Sequence, residues 1–529
     1  MLTRRQFFST AALLAAPPRT PGLVTGHPAG AAAARDVLRS GGNAVDAAVT
    51  AALVASVVEV AGCGPAGYGG HMVLAFPNGK VTAIDFNSAA PAAARPDMFP
   101  RDAQGAVKGR IDTYGWLAAG VPGTLAGLQL ALDRYGTRRF AALAQPAVRH
   151  ARDGFPVPPG LARLLKSSAS RLGRDPGSRK LFFREGAPLP EGARFRNPDL
   201  ADLLEKLAAR GSVESFYRGD VARAIAAAFA ANGGLVTEKD LAAYRAREVK
   251  PLALPWRGWT IHTAPLTAGG LTMLQVIKTL EALDWCRWAR GDFRVTHARL
   301  EATRLAWHDR LTLLGDPEHA AAPAERLLSD RHARASADRV RNALASKQPA
   351  PATSDGRTAG GTIHLAAADA SGLMVALTLT HGGGLGAQVT IDGLGLVLGH
   401  GMSRFDPRPG LPNAPGPMKR PLHNMCPTVA CRDGRPALVL GGRGGRKIPN
   451  SVLGVLLSRI GEGQPLSKAV AALRLHTEGD RQLLLEAAWP EAEVKALKEI
   501  GYSAKAGPGA VVHAIERDPG SGALTAAAR

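Results

Sequence analysis

The residue type and setting with the clearest chemical potential is Thr362. It follows Gly360 and Gly361 and opens an apolar run, Ile363-His364-Leu365-Ala366-Ala367-Ala368. Cleavage before Thr362 would give it a free α-amine beside its own hydroxyl. Such an amine titrates at roughly 7.7–8.0, so near neutral pH it can take the proton of the adjacent hydroxyl and leave a nucleophile. Read without cleavage, the same stretch is an ordinary strand start after a glycine-rich loop.

The elements that must position Thr362 follow from the next twenty residues. Asp369-Ala370-Ser371-Gly372 is a turn signal between two apolar runs, and it predicts a hairpin in which Leu373 pairs with Asp369. Counting outward brings Thr380 opposite Thr362, within hydrogen-bond reach. A second glycine-rich element, Leu440-Gly441-Gly442-Arg443-Gly444-Gly445, lies between an apolar run and a helix-like stretch, Ser451 to Ile460. Bare N–H groups at such a turn can hold an oxyanion.

Several further motifs stand in a characteristic order: Gly41-Gly42-Asn43-Ala44-Val45-Asp46-Ala47-Ala48, Gly67-Tyr68-Gly69-Gly70, Gly120-Val121-Pro122-Gly123-Thr124 and Asp153-Gly154-Phe155. After them come Gly233-Gly234 with Thr237 and Asp240-Leu241, then Lys419-Arg420-Pro421-Leu422 with Met425. Together they resemble the γ-glutamyltransferase family of N-terminal-nucleophile hydrolases, from about Gly26 to about Ile515. The resemblance implies a four-layer αββα sandwich and a precursor that cuts itself between Gly361 and Thr362. Residues 17–361 would then form a large subunit and 362–529 a small one, held together. It also implies Thr362 as nucleophile, Thr380 as its hydroxyl partner, Gly444 and Gly445 as oxyanion glycines, and His364 as the family's histidine two residues after the nucleophile. The expected partner is a small-molecule amide, and no cofactor or metal is expected.

The substrate pocket departs from the family pattern. Where the family holds an α-carboxylate with an Arg-Glu pair, this chain has Asn87-Ser88. The family's asparagine after the second threonine is Gly382, and its amine-holding aspartate falls on Arg404. Its two carboxylate-holding serines fall on His423 and Asn424. A γ-glutamyl ammonium would meet a like charge at Arg404, a repulsion of up to a few kcal/mol when poorly solvated. A glutaryl-like acidic acyl chain would instead suit Arg404. The segment from Asp406 to Pro415 is short and proline-rich where some family members carry a lid, which predicts an open site. The alternatives are therefore a γ-glutamyl enzyme, an acylase of changed acyl specificity, and a non-catalytic binding protein.

At 529 residues, with 46% hydrophobic and 21% charged content, the chain suits a large globular core, read as one interlocked domain. Its formal charge of +21 is scattered rather than gathered in an arm, and aromatics make up 5%, so no nucleic-acid module is indicated. Arg4-Arg5-Gln6-Phe7-Phe8 ahead of an apolar stretch to Ala16 resembles a twin-arginine export signal over residues 1–16, which predicts a periplasmic or secreted protein. That run is shorter than the ~20 residues a membrane span needs. Cys63, Cys286, Cys426 and Cys431 form no zinc or CxxC spacing and read as buried small hydrophobes, with Cys426 and Cys431 on opposite sides of a strand.

Local signals place further elements. Helices are expected over Ala31–Leu38, Asp46–Val58 capped by Asn43, Leu125–Arg134, Phe140–Ala151, Leu200–Arg210, Asp220–Ala231, Gly270–Leu283 and Arg294–Leu314. Strands are expected over Met72–Phe76 and Val81–Phe86, and from Thr362 to about Leu440. Residues 334–360 read as a polar, exposed segment. A phosphate loop at 441–445 is disfavoured because Gly445-Arg446-Lys447-Ile448 lacks the magnesium-binding hydroxyl. Neither a Gly-X-Ser-X-Gly elbow nor His-Glu-X-X-His occurs.

Overall fold

The computed structural model describes residues 21–289, 291–353 and 361–529. The region expected to be an export signal lies outside them. Alternation along the Ile363–Asp369 strand determines the layering. Ile363, Leu365 and Ala367 turn toward one core, while Ala366 and Ala368 turn toward another. The strand lies second in a six-stranded sheet that pairs, in order, Gly22–Thr25, Ile363–Asp369, Met374–Thr380, Gly69–Ala75, Val81–Asn87 and Arg247–Val249. A second six-stranded sheet runs Leu524–Ala528, Val511–Arg517, Arg435–Arg443, Thr428–Arg432, Trp259–Thr263 and Leu252–Trp256. The two face each other across Val73, Ala83, Ala366, Ala376, Val429 and Val439. Alanine and valine dominate this layer, which allows close approach of the sheets.

Helices cover both outer faces and complete the four-layer αββα sandwich. Ala44–Val58 is buried along its whole length between the first sheet and helices that include Thr124–Tyr135 and Phe140–Asp153. Its start is fixed from two directions. Asn43 and Asp46 form a capping box, and the Asp369 carboxylate in the hairpin turn accepts the Ala44 N–H at 2.9 Å. Gly270–Ala282, Phe293–Leu313, Asp330–Ser346 and Lys447–Leu456 cover the second sheet.

Two stretches differ from expectation. Residues 330–346 are a helix rather than an exposed polar segment. Its buried face is Ala333, Ser336, Ala337, Val340 and Ala343, a stripe of small residues that does not stand out from the surrounding arginines. The rest of that segment is anchored as far as it is described: Ala350 N–H donates to Glu301 at 2.9 Å, and Thr353 Oγ1 lies 2.9 Å from His308 Nδ1. Residues 354–360 lie outside the described residues. Strands also do not continue to Leu440. Residues 381–427 hold only the short strands Thr390–Ile391 and Leu396–Val397 and a 3₁₀ turn at Gly401–Arg404, because glycine and proline interrupt any ladder.

All four cysteines are free. Cys63, Cys426 and Cys431 are buried and Cys286 is half-buried. Cys426 joins the outer core and Cys431 the inter-sheet core, on opposite sides as expected. Among the described residues no helix is long and apolar enough to cross a membrane.

Candidate active site

The hairpin register pairs Ile363 with Leu379 and His364 with Thr378, so one step further sets Thr362 opposite Thr380. Their hydroxyl oxygens are 3.1 Å apart. Thr380 donates its only proton to the Gly361 carbonyl and accepts the Gly382 N–H at 2.8 Å. It is therefore an acceptor toward Thr362. Thr362 Oγ1 lies 2.7 Å from the Gly361 carbonyl oxygen as well. A hydroxyl thus rests against the carbonyl of the peptide bond that precedes it, and a second hydroxyl polarises that carbonyl. Glycine at 361 has a steric reason. Its φ is +110°, and a Cβ there would come within 2.6 Å of the Gly383 backbone.

The Arg435–Arg443 strand of the facing sheet ends in Gly444 and Gly445, with φ of +141° and +65°, before the Lys447–Leu456 helix. His364 ties this turn to the nucleophile strand. Its ring occupies the space a side chain at Gly441 would need, 2.3 Å from the would-be Cβ, and its Nδ1 lies 2.8 Å from Thr378 Oγ1. His364 is fully buried, which drives its pKa well below the ordinary value. It is a neutral strut under the site.

Strand pairing extends this row. His364, Thr378, His71 and Asp85 occupy adjacent register positions across four strands, all on the inner face. Asp85 receives Arg420 at 2.7 Å and Arg247 at 2.9 Å. Burial alone would raise its carboxyl, but Arg420, His71 and Arg247 outweigh that and hold it far below the usual range. His423 completes the chain from the other side. Met425 N–H donates to His423 Nδ1, so the proton of the neutral ring is on Nε2, which lies 2.9 Å from His71 Nδ1. His71 in turn directs Nε2 toward Asp85 at 3.3 Å. Burial pushes His71 down to about 4 despite Asp85, and burial with His71 and Arg310 pushes His423 well below its ordinary value. Neither His71 nor Asp85 stood out in the sequence. Pairing the Val81–Asn87 strand with its neighbour would have shown both on the same face as Asn87.

A cleft of about 1350 Å³ has walls that include Arg404, Asn424, Gly383, Gly444, Arg408 and Arg446. Thr362 and Thr380 are buried off its lining, and Thr380 is tied by a hydrogen bond to Gly382, next to Gly383 in the wall. The proline-rich segment contributes Asp406, Pro407, Arg408 and Asn413 to the wall. Among the residues expected to recognise substrate, Arg404 and Asn424 line the cleft. Asn87 and His423 are buried and do not line it, with Asn87 Nδ2 donating to Pro421 O at 2.8 Å. Gly382 adjoins Gly383 in the wall and contacts Arg404 through its carbonyl. Among the described residues no group of three or more His, Cys, Asp or Glu side chains is arranged to hold a metal ion.

With this geometry in place, three comparisons locate the chain among known proteins. The family model described as gamma-glutamyltranspeptidase matches residues 30–529. The glutathione hydrolase proenzyme of Escherichia coli (strain K12) is 37% identical over 455 residues, covering 83% of this chain and 78% of that protein. The acylase ACY 1 proenzyme of Pseudomonas sp. (strain V22) is 35% identical over 516 residues, covering 96% and 91%. Among solved structures, a cephalosporin acylase from Bacillus halodurans superimposes with a TM-score of 0.86 at 26% identity, covering 99% of this chain and 97% of that one.

Proposed function

The chain belongs to the γ-glutamyltranspeptidase family, and from that premise we propose that it is a self-cleaving amidohydrolase and acyltransferase whose nucleophile is Thr362. The observation that carries this reading is the contact of Thr362 Oγ1 with both the Gly361 carbonyl and Thr380. In the precursor, Thr362 Oγ1 adds to the Gly361 carbonyl carbon while Thr380 holds the carbonyl oxygen. The C–N bond breaks, the nitrogen takes the hydroxyl proton, and the resulting ester is hydrolysed by water. Large (17–361) and small (362–529) subunits result, with a free α-amine on Thr362.

In the mature enzyme that amine accepts the Thr362 hydroxyl proton as Oγ1 attacks a substrate amide. The Gly444–Gly445 turn offers N–H groups to the developing oxyanion, the kind of interaction typically worth ~3–4 kcal/mol. The amine leaves with the proton, and water or an acceptor amine releases the acyl group from the threonine. No part of this scheme calls on a cofactor.

The acyl group is read from Arg404, which stands in the cleft wall where a γ-glutamyl ammonium would meet a like charge. We take the donor to be an amide whose acyl chain ends in a carboxylate without an α-amine, of the glutaryl type. The 37% identity to a glutathione hydrolase supports a second reading, a γ-glutamyl donor. Glutaryl and γ-glutamyl p-nitroanilides, equal in chain length, separate the two. Faster release from the glutaryl donor supports the first reading, faster release from the γ-glutamyl donor the second, and turnover of neither favours a binding protein. The twin-arginine motif supports export, with a periplasmic or secreted enzyme as the outcome.

A further inference from the structure

Arg404 does not stand in the cleft unsupported. It ends the Gly401–Arg404 3₁₀ turn, and His400 immediately precedes that turn, with the two side chains in contact. His400 Nδ1 lies 3.1 Å from the Thr113 carbonyl oxygen, which can only accept. The ring proton is therefore on Nδ1, and the Nε2 lone pair faces an Arg404 terminal nitrogen at 3.3 Å, which can only donate. The same guanidinium nitrogen donates to the Gly382 carbonyl. Burial first, and Arg404 second, push His400 down to about 3, so the ring stays neutral beside the guanidinium.

Gly382 is the space in which this arrangement fits. Its φ is +96°, and a Cβ there would lie 2.2 Å from the His400 ring and 3.5 Å from the Arg404 guanidinium. A side chain at 382 and an imidazole at 400 therefore exclude each other. Gly382 also joins the two parts of the site, since its N–H donates to Thr380 Oγ1 at 2.8 Å while its carbonyl receives Arg404. The path from the Thr362 hydroxyl to the guanidinium is on the order of 10 Å, within reach of a diacid chain of about five carbons.

We propose that His400 is a positioning residue for acyl recognition: with Gly382 it fixes the Arg404 guanidinium at the cleft wall, where it receives the terminal carboxylate of the acyl chain. This rests on the acyl specificity read above, and it deepens that reading by assigning the orientation of Arg404 to a neutral imidazole acceptor.

The test compares His400→Leu, which fills the space without an acceptor, with His400→Gln, whose amide oxygen can replace Nε2. The probes are glutaryl and pentanoyl p-nitroanilides, which differ only in the terminal carboxylate. In His400→Leu the KM for the glutaryl donor should rise about tenfold with kcat within about twofold, and the pentanoyl donor should be little affected. His400→Gln should recover most of the difference. In an Arg404→Leu background, His400→Leu should cost no further discrimination. Undiminished preference for the glutaryl donor in His400→Leu would overturn the proposal while leaving Thr362 chemistry intact. So would a wild type that cleaves both donors equally. Glutarate and pentanoate binding, measured by calorimetry, requires no turnover. A wild type inert toward every donor would defeat the functional reading, and the His400 proposal would then stand only if glutarate binds about tenfold more weakly to His400→Leu. Should His400→Leu fail to fold, an Arg404-dependent glutarate preference that is unchanged in a series of His400→Gln, His400→Asn and His400→Ala would overturn it.

Discussion

The reacting end of the hairpin and the wall of the cleft are built on opposite plans. At Thr362 and Thr380, each hydroxyl sits on or at the end of a strand, its direction set by alternation and its partner by register. Beneath them, His364, Thr378, His71 and Asp85 stand in register across four strands, with His364 against Thr378 and His71 against Asp85. At the wall, Arg404, Asn424 and Gly382 lie in 381–427, where regular structure is sparse and orientation depends on side-chain contacts such as those of Arg404 with His400 and the Gly382 carbonyl. The difference suggests a division of labour. On the proposed reading, bond making falls to the paired strands and donor choice to loops that can change without disturbing them.

The largest effects are expected at the nucleophile. Thr362→Ala should remain a single chain and lose activity by about 10⁴-fold or more, read by donor hydrolysis and by gel mobility. Thr380→Val removes the hydroxyl that holds the Gly361 carbonyl, and should slow both self-cleavage and turnover by about 10²-fold. Arg404→Asp should behave differently in kind. Self-cleavage should proceed at the parental rate, while the glutaryl to γ-glutamyl preference should fall by about tenfold to a hundredfold. If Arg404→Asp also abolished cleavage, the two regions would not be separable.

A further prediction concerns acid stability. His71 and His381 are buried with pKa values of about 4 and about 3, below the ordinary 6.5, with burial as the leading cause. Unfolding lets both rise toward 6.5, so the unfolded state binds more protons between the two values. Their contribution to stability is complete above about pH 6.5 and is lost as pH falls toward the folded pKa values. Each should cost on the order of 2 kcal/mol by pH 4.5, seen as a falling urea midpoint, and His71→Asn should flatten part of that slope.

What the sequence made legible follows the same division. The turn residues Asp369 to Gly372 fixed the hairpin count, and with it the Thr362–Thr380 contact, because register in a short hairpin is a local property. Asn43 with Asp46 and Thr237 with Asp240 both form capping boxes, again within four residues. The buried row was hidden because Thr378 and His71 meet only after two segments 300 residues apart have paired, roughly by count of position. His400 was hidden for another reason. Its relation to Arg404 is local, but a histidine in a glycine-rich loop carries no periodicity, and only the space left by Gly382 reveals what the ring does. The helix Asp330–Ser346 escaped because alanine makes a weak apolar stripe.

The central claim is that this chain becomes an enzyme by freeing the amine of Thr362, and the intact mass of the purified protein, with N-terminal sequencing of each species, tests it most directly. Two chains are expected, the smaller beginning at Thr362. A single uncut chain of full activity would contradict it.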